Sequence, residues 1–202
     1  MNAYVSEEDL KARVEDAIKH AADCVSTSEL VIWFADQSCR GRYSVAWATF
    51  APTLNVLTGS LLEGLVLSLY KPLEPEGKQS DGERVNLWKI INLAVRLKVI
   101  DAAVHDTLKE KLHSVAHIWS KVETLRHNLV AHGKAGLSVE DEMQRAGLIS
   151  SEWKKLLSVY SEVLNALAEK IGIQGIDVEA RREQFASNAE RFFEVLNSRV
   201  ES

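Results

Sequence analysis

Apolar residues recur at steps of three and four along most of this chain, a pattern that predicts amphipathic helices. The predicted helices cover about residues 6–25, 28–34, 43–70, 83–98, 101–133, 150–171 and 177–200. The helix over 43–70 is the most apolar and is expected to be the most buried. With only three prolines and no hairpin-type Asn-Gly or Asp-Gly turn, the chain is predicted to form an all-α bundle of about six or seven helices.

Helix-end signals support several of these boundaries. Ser6 is followed three residues later by Asp9, the spacing of a capping box, and Ser28 is placed to begin a second short helix. Gly172 is expected to end the 150–171 helix. Asp177 is predicted to cap the last helix. The buried face of that helix is predicted to contain Phe185, Ala189, Phe192, Leu196 and Val200.

Length and composition indicate one cytoplasmic domain. The 202 residues are 46% hydrophobic and 26% charged, enough apolar material for a full core. Cys24 and Cys39 do not suggest a disulfide framework, and the polar N-terminus has no secretory signal pattern. The apolar run 44–70 includes Glu63 and many hydroxyl and amide side chains, so we expect a buried helix and no membrane contact.

Charge is distributed unevenly along the chain. The net charge is −5, which argues against bulk affinity for nucleic acid. Residues 84–134 nevertheless contain nine Lys or Arg against four Asp or Glu. This local excess of +5 is explained equally well by an ordinary solvated surface and by a face that binds a phosphate backbone.

Polar residues gather at the end of the 101–133 helix, around an apolar stripe. That stripe contains Leu108, Leu112, Val115, Trp119, Val122, Leu125 and Leu129. Arg126 and His132 lie about 60° to either side of Leu129 and about 9 Å apart along the axis. One helix cannot easily direct both at one atom, so we expect a homodimer through the 101–133 helix that brings Arg126 of one chain near the partner's His132.

An ordinary explanation competes with this hypothesis. A histidine in a last helical turn favours the negative end of the helix dipole, and an arginine beside an apolar stripe often only extends to solvent. From spacing alone the ordinary explanation ranks first.

The stretch Arg126-His127-Asn128-Leu129-Val130-Ala131-His132 resembles the motif of the HEPN superfamily, and most of all its abortive-infection U branch. Arg126, Ala131 and His132 match the branch pattern, whereas His127 and Asn128 replace its usual Asp-Lys. Leu67-Ser68-Leu69-Tyr70 and Gly147-Leu148-Ile149-Ser150 also resemble that branch. The resemblance implies a HEPN-like core over about 45–170, with N-terminal helices over 6–38 and a C-terminal helix over 177–200 packed on it.

The resemblance implies a metal-independent endoribonuclease that acts as a toxin or phage-defence effector without a cofactor. RNA would be the substrate, with His132 as general acid or base, Arg126 as the phosphate-binding cation, and His127 and Asn128 as supporting residues. Two alternatives stay open. One is a non-catalytic interaction or dimerisation module, and the other is the partner-regulated half of a toxin–antitoxin pair, silenced by an antitoxin protein.

Other chemistry has less support in the sequence. His113 and His117 have the spacing of a metal-binding pair on one helix face, but no second Glu-x-x-His accompanies them. There is no Gly-x-Ser-x-Gly, no Cys-x-x-Cys and no phosphate-binding glycine loop. We therefore predict no metal site and no nucleotide-dependent reaction.

Overall fold

The computed structural model describes residues 6–74, 85–132 and 139–200, with the side chains of 130–140 and 142 outside that description. The described residues form helices and connecting turns, without a β-strand, so the all-α prediction is confirmed. The helices are α1 (Glu7–Ala35), α2 (Gln37–Arg42), α3 (Ser44–Tyr70), α4 (Leu87–Arg96), α5 (Ala102–Ser114), α6 (Ala116–His132), α7 (Val139–Arg145), α8 (Ser150–Ile171) and α9 (Val178–Val200).

Helix α1 is the central helix and packs against α3, α8 and α9. Its start is as predicted: Ser6 Oγ accepts from the Asp9 amide at 3.2 Å, and Asp9 Oδ2 accepts from the Ser6 amide at 2.9 Å. The predicted second helix at Ser28 is wrong, because α1 continues to Ala35. Ser28 is buried inside α1 and satisfies its hydroxyl by donating to the Val25 carbonyl at 2.8 Å.

Helix α3 agrees with its predicted span but not with its predicted burial. Its inner face is buried and includes Trp47, Leu54, Leu62 and Leu69. Its outer face exposes four large apolar side chains: Val45, Val56, Leu57 and Leu67. Among the described helices, α3 is long and apolar enough to cross a membrane by length and composition, and only 28% of its most apolar window is buried.

The predicted 101–133 helix is broken at Val115 into α5 and α6. The Val115 carbonyl accepts from the Ile118 amide at 2.9 Å and from the Trp119 amide at 3.0 Å. Ser114 Oγ donates to the Lys111 carbonyl at 2.7 Å, which satisfies one carbonyl at the end of α5. As a result α5 packs on α4 and α8, whereas α6 packs on α3 and α8.

Helix α8 agrees with its prediction, and α9 agrees only in part. Gly172 ends α8 with a left-handed φ of 67°, and Asp177 Oδ1 accepts from the Ala180 amide at 3.0 Å at the start of α9. On α9 the predicted burial of Phe192 is wrong, since Phe192 is 46% exposed and Phe193 is fully buried. Phe193 lies in an aromatic cluster made of Trp33, Phe34, Tyr43, Trp47 and Phe193.

Candidate functional site

Arg126 is stacked on a tyrosine from another helix. Its guanidinium carbon lies 4.1 Å from the ring centroid of Tyr70, the last residue of α3. The Tyr70 ring also stacks on the ring of Trp119, with centroids 5.5 Å apart and planes 27° apart. Trp119 and Arg126 are seven residues apart, so both project from the same side of α6. We call Tyr70, Trp119 and Arg126 the Arg126 stack.

Hydrogen bonds fix Tyr70 at the end of α3. Trp119 Nε1 donates to the Tyr70 carbonyl at 3.2 Å, which satisfies a carbonyl that lacks a helical partner. The Tyr70 hydroxyl donates to Glu74 Oε1 at 3.3 Å. Asn86 is fully buried, and its Nδ2 donates to the carbonyls of Lys71 and Glu74 at 3.0 and 3.1 Å. The chain after α3 is therefore held against the start of α4.

The charges around the stack have mixed signs. Burial and the nearby Glu74 carboxylate raise the pKa of Tyr70, and the Arg126 cation opposes that shift. Glu123 raises the same pKa further. At neutral pH the Tyr70 hydroxyl therefore stays protonated and can donate. Arg126 thus lies near an aromatic ring and near carboxylates, and its surroundings are not purely basic.

The predicted site residues are positioned unequally. Arg126 and Asn128 are half-buried, whereas His127 is exposed. Because His127 is one residue after Arg126, its side chain projects about 100° further around the helix. His132 is the last residue of α6, and its side chain lies outside the described residues. The helix does extend through His132, as the predicted spacing of Arg126 and His132 requires.

The apolar stripe beside these residues is covered by the chain itself. Val122 and Leu125 are fully buried, and Leu129 packs against the main core. Because α3 and α8 occupy that face, the stripe is not an open seam. The homodimer through the 101–133 helix stays a prediction, and its contact would have to use residues of this helix other than the apolar stripe.

The basic excess of 84–134 is partly neutralised by α8. Lys121 Nζ lies 2.7 Å from Glu152 Oε1, and Lys111 forms an ion pair with Glu162. A second basic group arises from tertiary packing: Arg13 of α1 joins Lys89 and Arg96 of α4 around a cleft of about 360 Å³. The local charge pattern of residues 84–134 does not reveal this cleft, because Arg13 lies far away along the chain.

The two histidines that have the spacing of a metal-binding pair lie on different helices. His113 belongs to α5, with its ring 4.9 Å from the Trp88 ring, and His117 belongs to α6. The break at Val115 removes the single helix face that the pair would have needed. Within the described residues, no group of three or more His, Cys, Asp or Glu is arranged to hold a metal ion.

Comparisons with protein-family models, curated protein sequences and solved structures find no match to this chain.

The Lys121–Glu152 pair links α6 to the start of α8 and leads to a pH-dependent prediction. The Lys121 hydrogen bond lowers the pKa of Glu152 below its ordinary value of 4.5, and the Ile149 amide adds to this effect. The stabilisation is therefore present above about pH 4.5 and is lost as the pH falls through the lowered pKa. Glu152→Gln keeps a cap acceptor but removes the charge, and should lower the free energy of unfolding at pH 7 by about 1 kcal/mol.

Urea unfolding at pH 7 and near pH 3 measures this effect. The matched control is Glu162→Gln, which removes an exposed pair and should change stability by less than about 0.5 kcal/mol. A Glu152→Gln loss of the same size at both pH values would show that the charge is not responsible.

Proposed function

We propose that this chain is a metal-independent endoribonuclease of HEPN type that acts as a toxin or phage-defence effector. The proposal rests on the resemblance at Arg126–His132. The observation that carries it is the Arg126 stack, in which Tyr70 holds a half-buried guanidinium six residues, or about 1.7 turns, before His132. An arginine that only extended to solvent would not need an aromatic platform fixed by Trp119.

The stacked arginine suits a phosphate ligand. A guanidinium that lies over an aromatic ring keeps its N–H groups directed outward in its own plane, where they can donate to two phosphate oxygens. Lysine in the same place would supply a charge without that two-pronged geometry. Arg126 would therefore bind the scissile phosphate and offset the charge that develops in the transition state.

RNA supplies its own nucleophile in the proposed reaction. The ribose 2′-hydroxyl oxygen forms a bond to phosphorus while its proton passes to a base, and the bond from phosphorus to the 5′-oxygen breaks. The leaving oxygen takes up a proton, which gives a 2′,3′-cyclic phosphate and a 5′-hydroxyl end. His132 would transfer one of these protons, since imidazole titrates near neutral pH. His127 and Asn128 would support the bound RNA.

The cleft of Arg13, Lys89 and Arg96 adds a second argument for RNA. Three cationic side chains and Asn92 line it, and none of the described residues in its lining is a carboxylate. Such a cleft suits a phosphodiester backbone, whose binding depends on neutralised phosphates. A wider cleft of about 710 Å³ between α8 and α9 does not suit RNA, because Glu162, Glu169, Asp177 and Glu179 line it.

A non-catalytic interaction module is the second candidate, and the exposed apolar face of α3 favours it. In that case the Arg126 stack would only join α3 to α6. An antitoxin partner that silences the chain is compatible with either proposal.

Cleavage of RNA in the presence of EDTA tests the proposed function. We expect products with 2′,3′-cyclic phosphate and 5′-hydroxyl ends: the 3′ ends should resist ligation until the phosphate is removed, and the 5′ ends until they are phosphorylated. An oligonucleotide with one 2′-deoxy sugar at the cleaved position should bind but stay intact there. Cleavage at the deoxy position would contradict the mechanism, and cleavage that requires an added metal ion would contradict metal independence.

A further inference from the structure

The cleft of about 710 Å³ lies between α8 and the segment that leads from α8 into α9, and we call it the α8–α9 cleft. Its first wall is a polar face of α8 made of Ser158, Ser161, Glu162, Asn165 and Glu169. Its second wall is the segment 173–179, which contributes the apolar side chains Ile173, Ile176 and Val178 and the carboxylates Asp177 and Glu179. None of the described residues in its lining is cationic, so the cleft combines apolar surface with negative charge.

The shape of the α8–α9 cleft is fixed by a brace between its two walls. Asn165 Nδ2 donates to the Ile176 carbonyl at 2.9 Å, and the Ile176 amide donates to Asn165 Oδ1 at 2.7 Å. Gly175 approaches α8 so closely that a Cβ at this position would lie 2.3 Å from Asn165 Oδ1. The walls are therefore in place before a ligand arrives, which lowers the entropic cost of binding.

The Ser161 hydroxyl, in the α8 wall of the cleft, has no partner among the described residues. Ser161 is 1% exposed, and its Oγ makes no hydrogen bond. Other helical serines of this chain, such as Ser26 and Ser120, donate to the carbonyl three or four residues earlier. Buried hydroxyl groups are nearly always hydrogen-bonded, so this orphaned group indicates a polar ligand that would complete it.

The negative charge of the cleft is only partly neutralised. Glu162 and Glu179 each form an ion pair with a cation outside the lining. Glu169 and Asp177 have no ion-pair partner in the part of the chain that the structure describes. Within those residues the carboxylates are not grouped as metal ligands. The two remaining charges therefore suit a ligand that carries more than one separated positive group.

We propose that the α8–α9 cleft binds a linear polyamine, with spermidine as the representative ligand. Its ammonium groups donate to Glu169, to Asp177 and to Ser161 Oγ, while its methylene groups pack against Ile173 and the other apolar residues of the second wall. Ser161 and Glu169 lie about 12 Å apart along α8. Extended spermidine has nine single bonds of about 1.5 Å and is about 11 Å long.

A peptide fits the cleft less well than a polyamine. The amide and the carbonyl of Ile176 are both bonded to Asn165, so they do not pair with the backbone of an added strand. Nucleic acid would be repelled by the carboxylates. The inference depends on this cleft alone and does not require RNA cleavage by the Arg126 site.

Isothermal titration with spermidine tests the site. At about 0.15 M salt, where the screening length is about 8 Å, general attraction by the net charge of −5 is weak. We expect one site with a dissociation constant below about 1 mM. Glu169→Gln should weaken binding about 10-fold, because it removes one unpaired carboxylate. The matched control is Glu194→Gln, which removes the same charge from an exposed position of α9 outside the cleft and should bind like the wild type.

Ser161→Ala separates binding from folding. It should weaken spermidine binding about 10-fold, since a hydrogen bond to a charged group is lost. It should not lower the urea midpoint of the free chain, because the hydroxyl has no partner there.

Three results would overturn the proposal. The first is a wild type that shows no binding heat up to about 10 mM spermidine, weaker than a specific site of this kind requires. The second is a loss in Glu194→Gln as large as that in Glu169→Gln, which would mean general charge attraction. The third is a trilysine peptide that binds more tightly than spermidine, which would assign the cleft to a basic peptide.

Discussion

Replacing His132 with alanine is expected to lower the rate of RNA cleavage about 10²–10⁴-fold, the usual contribution of general acid–base catalysis. The reason is that His132 is the proton-transfer group that the motif supplies. Because α6 packs on α3 and α8 through Val122 and Leu125, the fold should tolerate the change. Single-turnover cleavage of a labelled RNA measures the rate, and circular dichroism checks the fold.

Arg126 variants separate charge from geometry at the same site. Arg126→Lys keeps the cation but loses the planar group that stacks on Tyr70, so its rate should fall substantially but less than that of Arg126→Ala. His113→Ala is the control and should cleave normally, since His113 belongs to α5 and contacts Trp88. A folded His132→Ala chain with full activity would remove this site and favour the interaction module.

Tyr70 helps to distinguish a functional stack from a structural one. Tyr70→Phe keeps the ring under Arg126 and loses the hydroxyl bond to Glu74, whereas Tyr70→Leu removes the aromatic platform. If the stack orients Arg126 toward phosphate, only the leucine variant should raise the KM for RNA strongly. A purely structural role would lower stability in the leucine variant without changing the KM of the folded fraction.

The helices were largely predictable because their signals are local. The Ser6–Asp9 capping box and Gly172 act within one or two turns and agree with the structure, and apolar periodicity predicts the existence of most helices. The break at Val115 was not predictable from periodicity, since Leu112, Val115 and Trp119 keep the apolar spacing on both sides of it and all three are buried. No glycine or proline marks the change of direction.

The candidate site was predictable only as a list of residue types. Arg126 and His132 stand out in the sequence, but the platform for Arg126 comes from Tyr70, 56 positions earlier in the chain. A contact between the end of α3 and the middle of α6 depends on how the helices pack, and periodicity within either helix does not contain that information. The same applies to Arg13, which packing brings beside Lys89 and Arg96.

Helix α9 shows most clearly that periodicity alone does not fix the buried face, because its two adjacent phenylalanines point about 100° apart. The spacing of Ala189, Phe192 and Leu196 favoured Phe192 as the buried residue. In the structure Phe193 is the buried residue, because it packs against the aromatic side chains of α1 and α3. Its ring centroid lies 4.6 Å from that of Trp33 and 5.8 Å from that of Trp47. Phe192 meets Phe193 edge-on and remains 46% exposed.

Phe193→Ala should therefore destabilise the chain by about 3–5 kcal/mol, the usual loss when a buried phenylalanine leaves a cavity. The cluster can close around this cavity only partly, because its other rings are fixed on α1 and on the start of α3. Phe192→Ala removes the same atoms from the neighbouring position and should change stability by less than about 1 kcal/mol. Urea unfolding of both variants measures the difference. Equal losses, or a larger loss at Phe192, would mean that α9 is rotated about its axis and that the sequence pattern had identified the buried face correctly.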